Sequence, residues 1–151
     1  VSINVALGGA QWASVEGRKA FEPVSDCMGA QHTLCCPHDI KGPSAICKSV
    51  TKIDHSKAGN GTLLNWKFSP AALEGDTGLD NLISLLDTYV QRKGMHSQFT
   101  VASKETLLDA QKNPSEYKDL LVRVAGYSAY FVELSKGLQD DIIGRTELNF
   151  S

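Results

Sequence analysis

Arg123-Val124-Ala125-Gly126-Tyr127-Ser128-Ala129-Tyr130-Phe131 is the stretch on which the reading of this sequence turns. Leu121-Val122-Arg123-Val124 is a short β-prone run, and Ser128 to Leu134 can extend again. Gly126 sits between them, where a glycine ordinarily weakens a strand. Two readings fit. The plain one is a tight turn or close backbone contact, because glycine tolerates positive φ without strain. The other is chemical. Loss of one hydrogen atom from a glycine Cα leaves a planar carbon. The adjoining amide nitrogen donates electron density to it and the carbonyl withdraws it, so an unpaired electron is shared both ways. A side chain at that carbon would twist it out of plane, which makes glycine the residue suited to store a backbone radical.

Outward from this stretch the chain alternates helices and strands, which predicts an α/β fold. Leu79, Leu82, Ile83, Leu86 and Val90 share one helical face, predicting a helix over 79–92 that is capped by Asp76 or Thr77 and closed by Gly94 at C′. Met95 to Val101 alternates as a strand, with Met95, Ser97, Phe99 and Val101 on one face and His96, Gln98 and Thr100 on the other. Ser103 is placed to cap a second helix through Ala110, which Pro114 ends. Ser135 offers a cap for a last amphipathic helix carrying Leu138, Ile142 and Ile143. Residues 1–52 are rich in Gly, Ala, Ser, Pro and Cys and show little periodicity. They read as a short strand followed by long loops, with turns at 15–18 and 39–43. Val1 to Gly8 has no initiator Met and reads as a strand entered midway, which predicts that the sequence continues a longer chain.

Several ordered segments resemble one family. Arg123 to Phe131, with the tail Glu133 to Glu147, resembles the glycyl radical signature of the pyruvate formate-lyase superfamily. Glu16-Gly17-Arg18-Lys19-Ala20-Phe21-Glu22-Pro23 is similar to the family's Asp-Gly-Arg-Lys-Ala-x-Glu-Pro stretch. Lys48-Ser49-Val50-Thr51-Lys52-Ile53-Asp54-His55, Asn60-Gly61-Thr62-Leu63-Leu64-Asn65 and Glu105-Thr106-Leu107-Leu108-Asp109-Ala110-Gln111 follow in the family's order. The resemblance covers nearly the whole chain.

The resemblance implies the C-terminal portion of a ten-stranded α/β barrel. Residues 1–60 would belong to the barrel and 61–151 to a glycine radical domain. Gly126 would hold the radical, with Arg123, Val124, Ala125, Tyr127 and Ser128 as its supporting loop. A cysteine on a second loop would pass its hydrogen atom to Gly126 and attack substrate as a thiyl radical. No cofactor would be bound directly. A separate activating enzyme using S-adenosylmethionine and an iron–sulfur cluster would install the radical, and oxygen would cut the backbone at Gly126. The resemblance also implies a small-molecule substrate, a homodimer, and a cytoplasmic setting in an anaerobic bacterium.

Two departures stand out. Cys35-Cys36 mimics an adjacent pair seen in pyruvate formate-lyase, but it lies too near Gly126 in sequence, and neither Cys27 nor Cys47 is followed by the usual Glu. The thiyl cysteine is thus expected outside this sequence. Gly59 stands where relatives usually carry Thr. The reaction class is expected to be cleavage of a C–C, C–O or C–S bond. Trp66-Lys67-Phe68, Gly94-Met95-His96 and the ending 146–150 lean toward an arylacetate decarboxylase of the 4-hydroxyphenylacetate type, with a small subunit. Formate C-acetyltransferase and glycerol or diol dehydratase are the alternatives. A stand-alone radical-carrying spare part without an active site is the alternative of another class.

The remaining residues read plainly. The 151-residue chain is 42% hydrophobic and 21% charged with a formal net charge of -2, which suits a core-forming domain and gives no footprint for nucleic acid or an anionic membrane. No apolar run reaches the ~20 residues that span a bilayer. Cys35, Cys36, His38, Cys47 and His32 lack the paired spacing of a zinc site, so no metal is expected. His55 and His96 read as hydrogen-bonded structural residues or acid–base groups, Trp66 and Phe68 as core. Glu133, Asp140 and Asp141 read as a solvated helix face or as the charge complement of the helix N-terminus.

Overall fold

Every residue of β1 (Leu64–Phe68) is buried, the pattern of a strand covered on both faces rather than one. In the computed structural model, which describes residues 4–15, 17–25, 27–29, 39–124, 126–145 and 147–150, β1 pairs in parallel with β2 (Ser97–Val101), Leu64 opposite Ser97 and Phe68 opposite Val101. A parallel pair needs a crossover, and α3 (Gly75–Gln91) supplies it. On its other edge β1 meets the chain's end: Leu148 N–H donates to the Lys67 carbonyl at 2.7 Å. A second sheet is the antiparallel hairpin of β3 (Leu121–Arg123) and β4 (Ser128–Tyr130). The α/β class holds.

Two apolar clusters hold these pieces. In the first, α2 (Gly42–Val50) and α3 pack on β1 through Cys47, Val50, Leu64, Trp66, Phe68, Leu85, Tyr89 and Leu148. In the second, α4 (Lys104–Lys112) and α5 (Lys136–Gly144) pack beneath the hairpin. Leu107, Ala110, Val122, Val124, Phe131, Ile142 and Ile143 interlock there. Burying side chains of this size stabilises by about 1.5–3 kcal/mol each.

The structure corrects several expectations. Residues 42–50, read as turn and loop, form α2. Gly42 takes φ +80° before Pro43 opens the helix, a position that needs no N–H. Asn4–Gly9 is a short helix, α1, where a strand was expected. Helix α3 begins earlier than expected, with Glu74 at its N-cap and Asp76 and Thr77 inside it. Its core face is Gly78, Leu85 and Tyr89 with Leu82 beside them, while Leu79 and Val90 are 54% and 65% exposed. At its C-terminus Lys93, not Gly94, takes the left-handed conformation (φ 70°). Lys93 N–H donates to Val90 O and Gly94 N–H to Tyr89 O, each at 2.9 Å, the paired bonds of a Schellman cap. Ser103 does cap α4, its side chain accepting from Thr106 N–H.

The Gly17-Arg18-Lys19 to Pro23 segment is organised by one side chain. Buried Arg18 donates to the carbonyls of Trp12, Lys19 and Glu22 at 2.6, 3.1 and 2.8 Å. Three acceptors for one guanidinium explain why a loop without its own ladder holds a defined path.

Candidate functional site

Arg123 and Ser128 are the last paired residues of the β3–β4 hairpin, so 124–127 form its tip. Val124 is fully buried in the second cluster, and Tyr127 packs against that cluster from the other side. Val124 N–H donates to Tyr127 O at 3.0 Å, closing the tip. Gly126 stands between these two anchors, exposed, with φ +79°. That left-handed conformation would strain any L side chain, so the plain turn reading of the glycine is satisfied. Ala125 lies outside the described residues.

Strand β2 supplies a floor for the tip. Its alternation is as expected, but the polar face is the buried one: Gln98 and Thr100 are 5% and 6% exposed, whereas Val101 is 50% exposed. The Thr100 hydroxyl accepts from Arg123 N–H at 3.2 Å and donates to Arg123 O at 3.3 Å, standing in for a neighbouring strand. The Gln98 Oε1 accepts from Arg123 Nε and, at 3.3 Å, from Gly126 N–H. Arg123 Nη1 donates to Ser128 Oγ at 3.2 Å, tying the two sides of the hairpin neck.

A buried relay braces the same carbonyl from below. Arg145 Nη1 donates to Arg123 O at 3.1 Å, and its Nη2 pairs with Asp141 Oδ2 at 3.1 Å. Asp141 Oδ1 accepts from Asn4 Nδ2 at 3.1 Å, which joins α1 to α5. Asp141 therefore does not belong to a solvated face. Asp140 does, pairing with Lys136 at 3.3 Å. Lys67 is buried, and its ammonium donates to Ile143 O and Arg145 O, each at 3.3 Å, at the C-terminus of α5 where carbonyls lack partners. Burial pushes its pKa down.

The other candidates do not reach this tip. Trp66 and Phe68 are core, as the sequence reading has them. His55 is buried, its Nδ1 2.8 Å from Thr62 Oγ1 and its ring edge-on to Tyr89, as a structural histidine is. Cys47 is buried and its thiol pKa is raised by burial, the opposite of an activated thiol. Cys35, Cys36, His32 and His38 lie outside the described residues. Among the described residues no cluster of His, Cys, Asp or Glu could hold a metal ion, and no helix is long and apolar enough to cross a membrane.

Of the candidates named from the sequence, Arg123, Val124, Gly126, Tyr127 and Ser128 lie at the hairpin tip and neck, where Gln98, Thr100, Asp141 and Arg145 bond to them or to one another. The tip offers one distinctive group, a backbone carbon without a side chain, fixed on both flanks and open at its surface.

Comparison with known proteins points the same way. The sequence profile of the glycine radical family matches residues 35–132, which include the hairpin. The chain is 55% identical over 150 residues to (2S)-3-sulfopropanediol dehydratase of Klebsiella oxytoca, covering 99% of this chain and 18% of that protein. The glycerol-bound B12-independent glycerol dehydratase of Clostridium butyricum superposes with a TM-score of 0.89 at 50% identity, over 98% of this chain and 18% of that one. Indoleacetate decarboxylase of Tractidigestivibacter scatoligenes is 42% identical over 109 residues, 72% of this chain and 12% of that protein. The chain thus spans less than a fifth of the length of these relatives.

Proposed function

Because the chain belongs to the glycine radical family, we propose that it is the C-terminal portion of a glycyl radical enzyme and that Gly126 stores the radical. The supporting observation is the hairpin tip. A residue without a side chain is held at an exposed point by buried Val124 and packed Tyr127, with its amide fixed on Gln98. The division into a barrel portion (1–60) and a glycine radical domain (61–151), and the ten-stranded barrel itself, belong to the same proposal. So does a separate activating enzyme that uses S-adenosylmethionine and an iron–sulfur cluster. The thiyl-forming cysteine is placed in the remainder of the full-length protein.

The reaction we propose is elimination of water from a small polyhydroxylated substrate. A thiyl radical takes a hydrogen atom from a carbon bearing a hydroxyl. That hydroxyl gives up its proton as the neighbouring hydroxyl leaves as water, a carbonyl forms, and the carbon that lost oxygen takes the hydrogen atom back from the thiol. The dehydratases match more of the chain at higher identity than the indoleacetate decarboxylase does. The dehydratase reading therefore replaces the decarboxylase.

Anaerobic activation of the full-length protein with its activating enzyme tests the site. A doublet electron paramagnetic resonance signal is expected, split by the one hydrogen left on Cα. Growth on glycine deuterated at Cα should collapse the splitting without altering the fold. A signal insensitive to that label would reject Gly126.

A further inference from the structure

We propose that Gln98 is the positioning residue of the radical loop, its carbonyl holding the Gly126 amide while the Cα changes shape. The inference rests on Gly126 as the radical site and goes beyond it to a residue outside the hairpin. Two neighbours face the Gln98 side chain, Arg123 Nε and Gly126 N–H, and both are obligate donors. The atom facing them is therefore the oxygen, and the orientation of the amide is forced. The side chain is 5% exposed, and its Nε2 has no hydrogen-bond partner among the described residues. A buried donor left unpartnered is costly, so the residue is poorly explained as a device for stability alone.

Geometry gives the oxygen its task. With φ at +79°, the plane of the preceding peptide stands nearly at right angles to the plane through Gly126 N, Cα and C. An electron on a planar Cα is shared with the amide nitrogen only when those planes coincide. Radical formation thus requires rotation about the N–Cα bond. The Gln98 oxygen fixes the nitrogen side, so the Cα and its carbonyl do the turning. An acceptor on the N–H also enriches the nitrogen and strengthens its donation into the half-filled orbital. Arg123 keeps the oxygen in place, and Thr100, two residues along β2, keeps Arg123 in place.

The test uses the full-length protein, activated anaerobically, with Gln98→Met and Gln98→Glu. Met keeps the length and packing without an acceptor; Glu keeps the oxygen. Gln98→Met should lower radical per protomer about tenfold, the upper range for one hydrogen bond, and widen the doublet splitting as spin returns to Cα. Gln98→Glu should restore both. Three results overturn the proposal: a Gln98→Met protein with the wild-type yield and splitting, a Gln98→Glu protein that restores neither, or a Gln98→Met protein that does not fold. The last would assign Gln98 to the fold. Absence of any doublet in the wild-type protein would instead reject Gly126, leaving the two failures distinguishable.

Discussion

The guanidinium of Arg145 reaches the carbonyl of Arg123 at 3.1 Å, so the end of α5 is tied to the strand that leads into Gly126. The same side chain is paired with Asp141, and both side chains are almost wholly buried. The tip of the hairpin is therefore braced through a charge pair that water does not reach.

Breaking that pair from one side should be costly. Arg145→Met removes the charged partner from the buried Asp141 carboxylate and withdraws a donor from Arg123 O. Loss of one partner of a buried pair costs about 3–5 kcal/mol. Hydrogen exchange of the α5 and β3 amides in the full-length protein should speed up accordingly. The double variant Arg145→Met with Asp141→Leu should recover much of the protection, since no lone charge remains.

A buried lysine predicts a pH dependence. Lys67 is held below its ordinary 10.5 by desolvation, so the unfolded chain binds that proton more tightly than the folded one. At pH below the depressed value both states are protonated, and the cost of burial is fully present. As pH climbs from there toward 10.5, the folded state releases a proton that the unfolded state keeps, and local stability rises. Cys47 and Tyr89, both raised by burial, act in the opposite direction at alkaline pH, so the effect is read by difference. Exchange at α5 amides, compared between wild type and Lys67→Met, should show a gap that shifts in favour of wild type with rising pH. A gap independent of pH would reject the depressed value.

The parts of this fold that sequence patterning foresees are those whose cues are local. Ser103 caps α4 because its hydroxyl reaches Thr106 three residues on. The Gly126 hairpin is legible because β-prone residues flank a glycine. Helix α3 is harder. Leu79, Ile83, Leu86 and Val90 form one apolar stripe and Gly78, Leu82, Leu85 and Tyr89 another, and periodicity alone does not choose between them. Gln98 and Thr100 were assigned to the right face but not to the interior. Their partners belong to a hairpin 23 or more positions away, and only the folded chain brings those groups under them. Asp141 was misread for the same reason, since Asn4 lies 137 positions distant.

Storage of a radical on Gly126 carries a chemical prediction. A carbon-centred radical adds dioxygen, and addition at Cα of Gly126 should lead to cleavage of the chain there. Admitting air to the activated full-length protein should release a C-terminal peptide that begins near Tyr127, readable by mass spectrometry. The unactivated protein should stay intact under the same air. An uncut activated chain would count against the assignment.

The C-terminus of α3 offers a prediction independent of the radical. Lys93 carries the left-handed conformation of the cap, and the glycine beside it serves another need. A Cβ at Gly94 would sit 2.3 Å from Cζ of the Tyr89 ring. That ring cannot readily yield, because it is buried in the first cluster and its hydroxyl donates to His96 O at 3.1 Å. Gly94→Ala should therefore lose about 1–3 kcal/mol of local stability as an overpacked site. Lys93→Gly should instead gain about 1 kcal/mol by relieving the left-handed strain of a residue with a side chain. Two neighbouring positions would thus respond with opposite sign, and exchange of the α3 amides would report both. If Gly94→Ala proved neutral, the Tyr89 ring would have to move, and His96 O would lose the donor that holds the entry to β2.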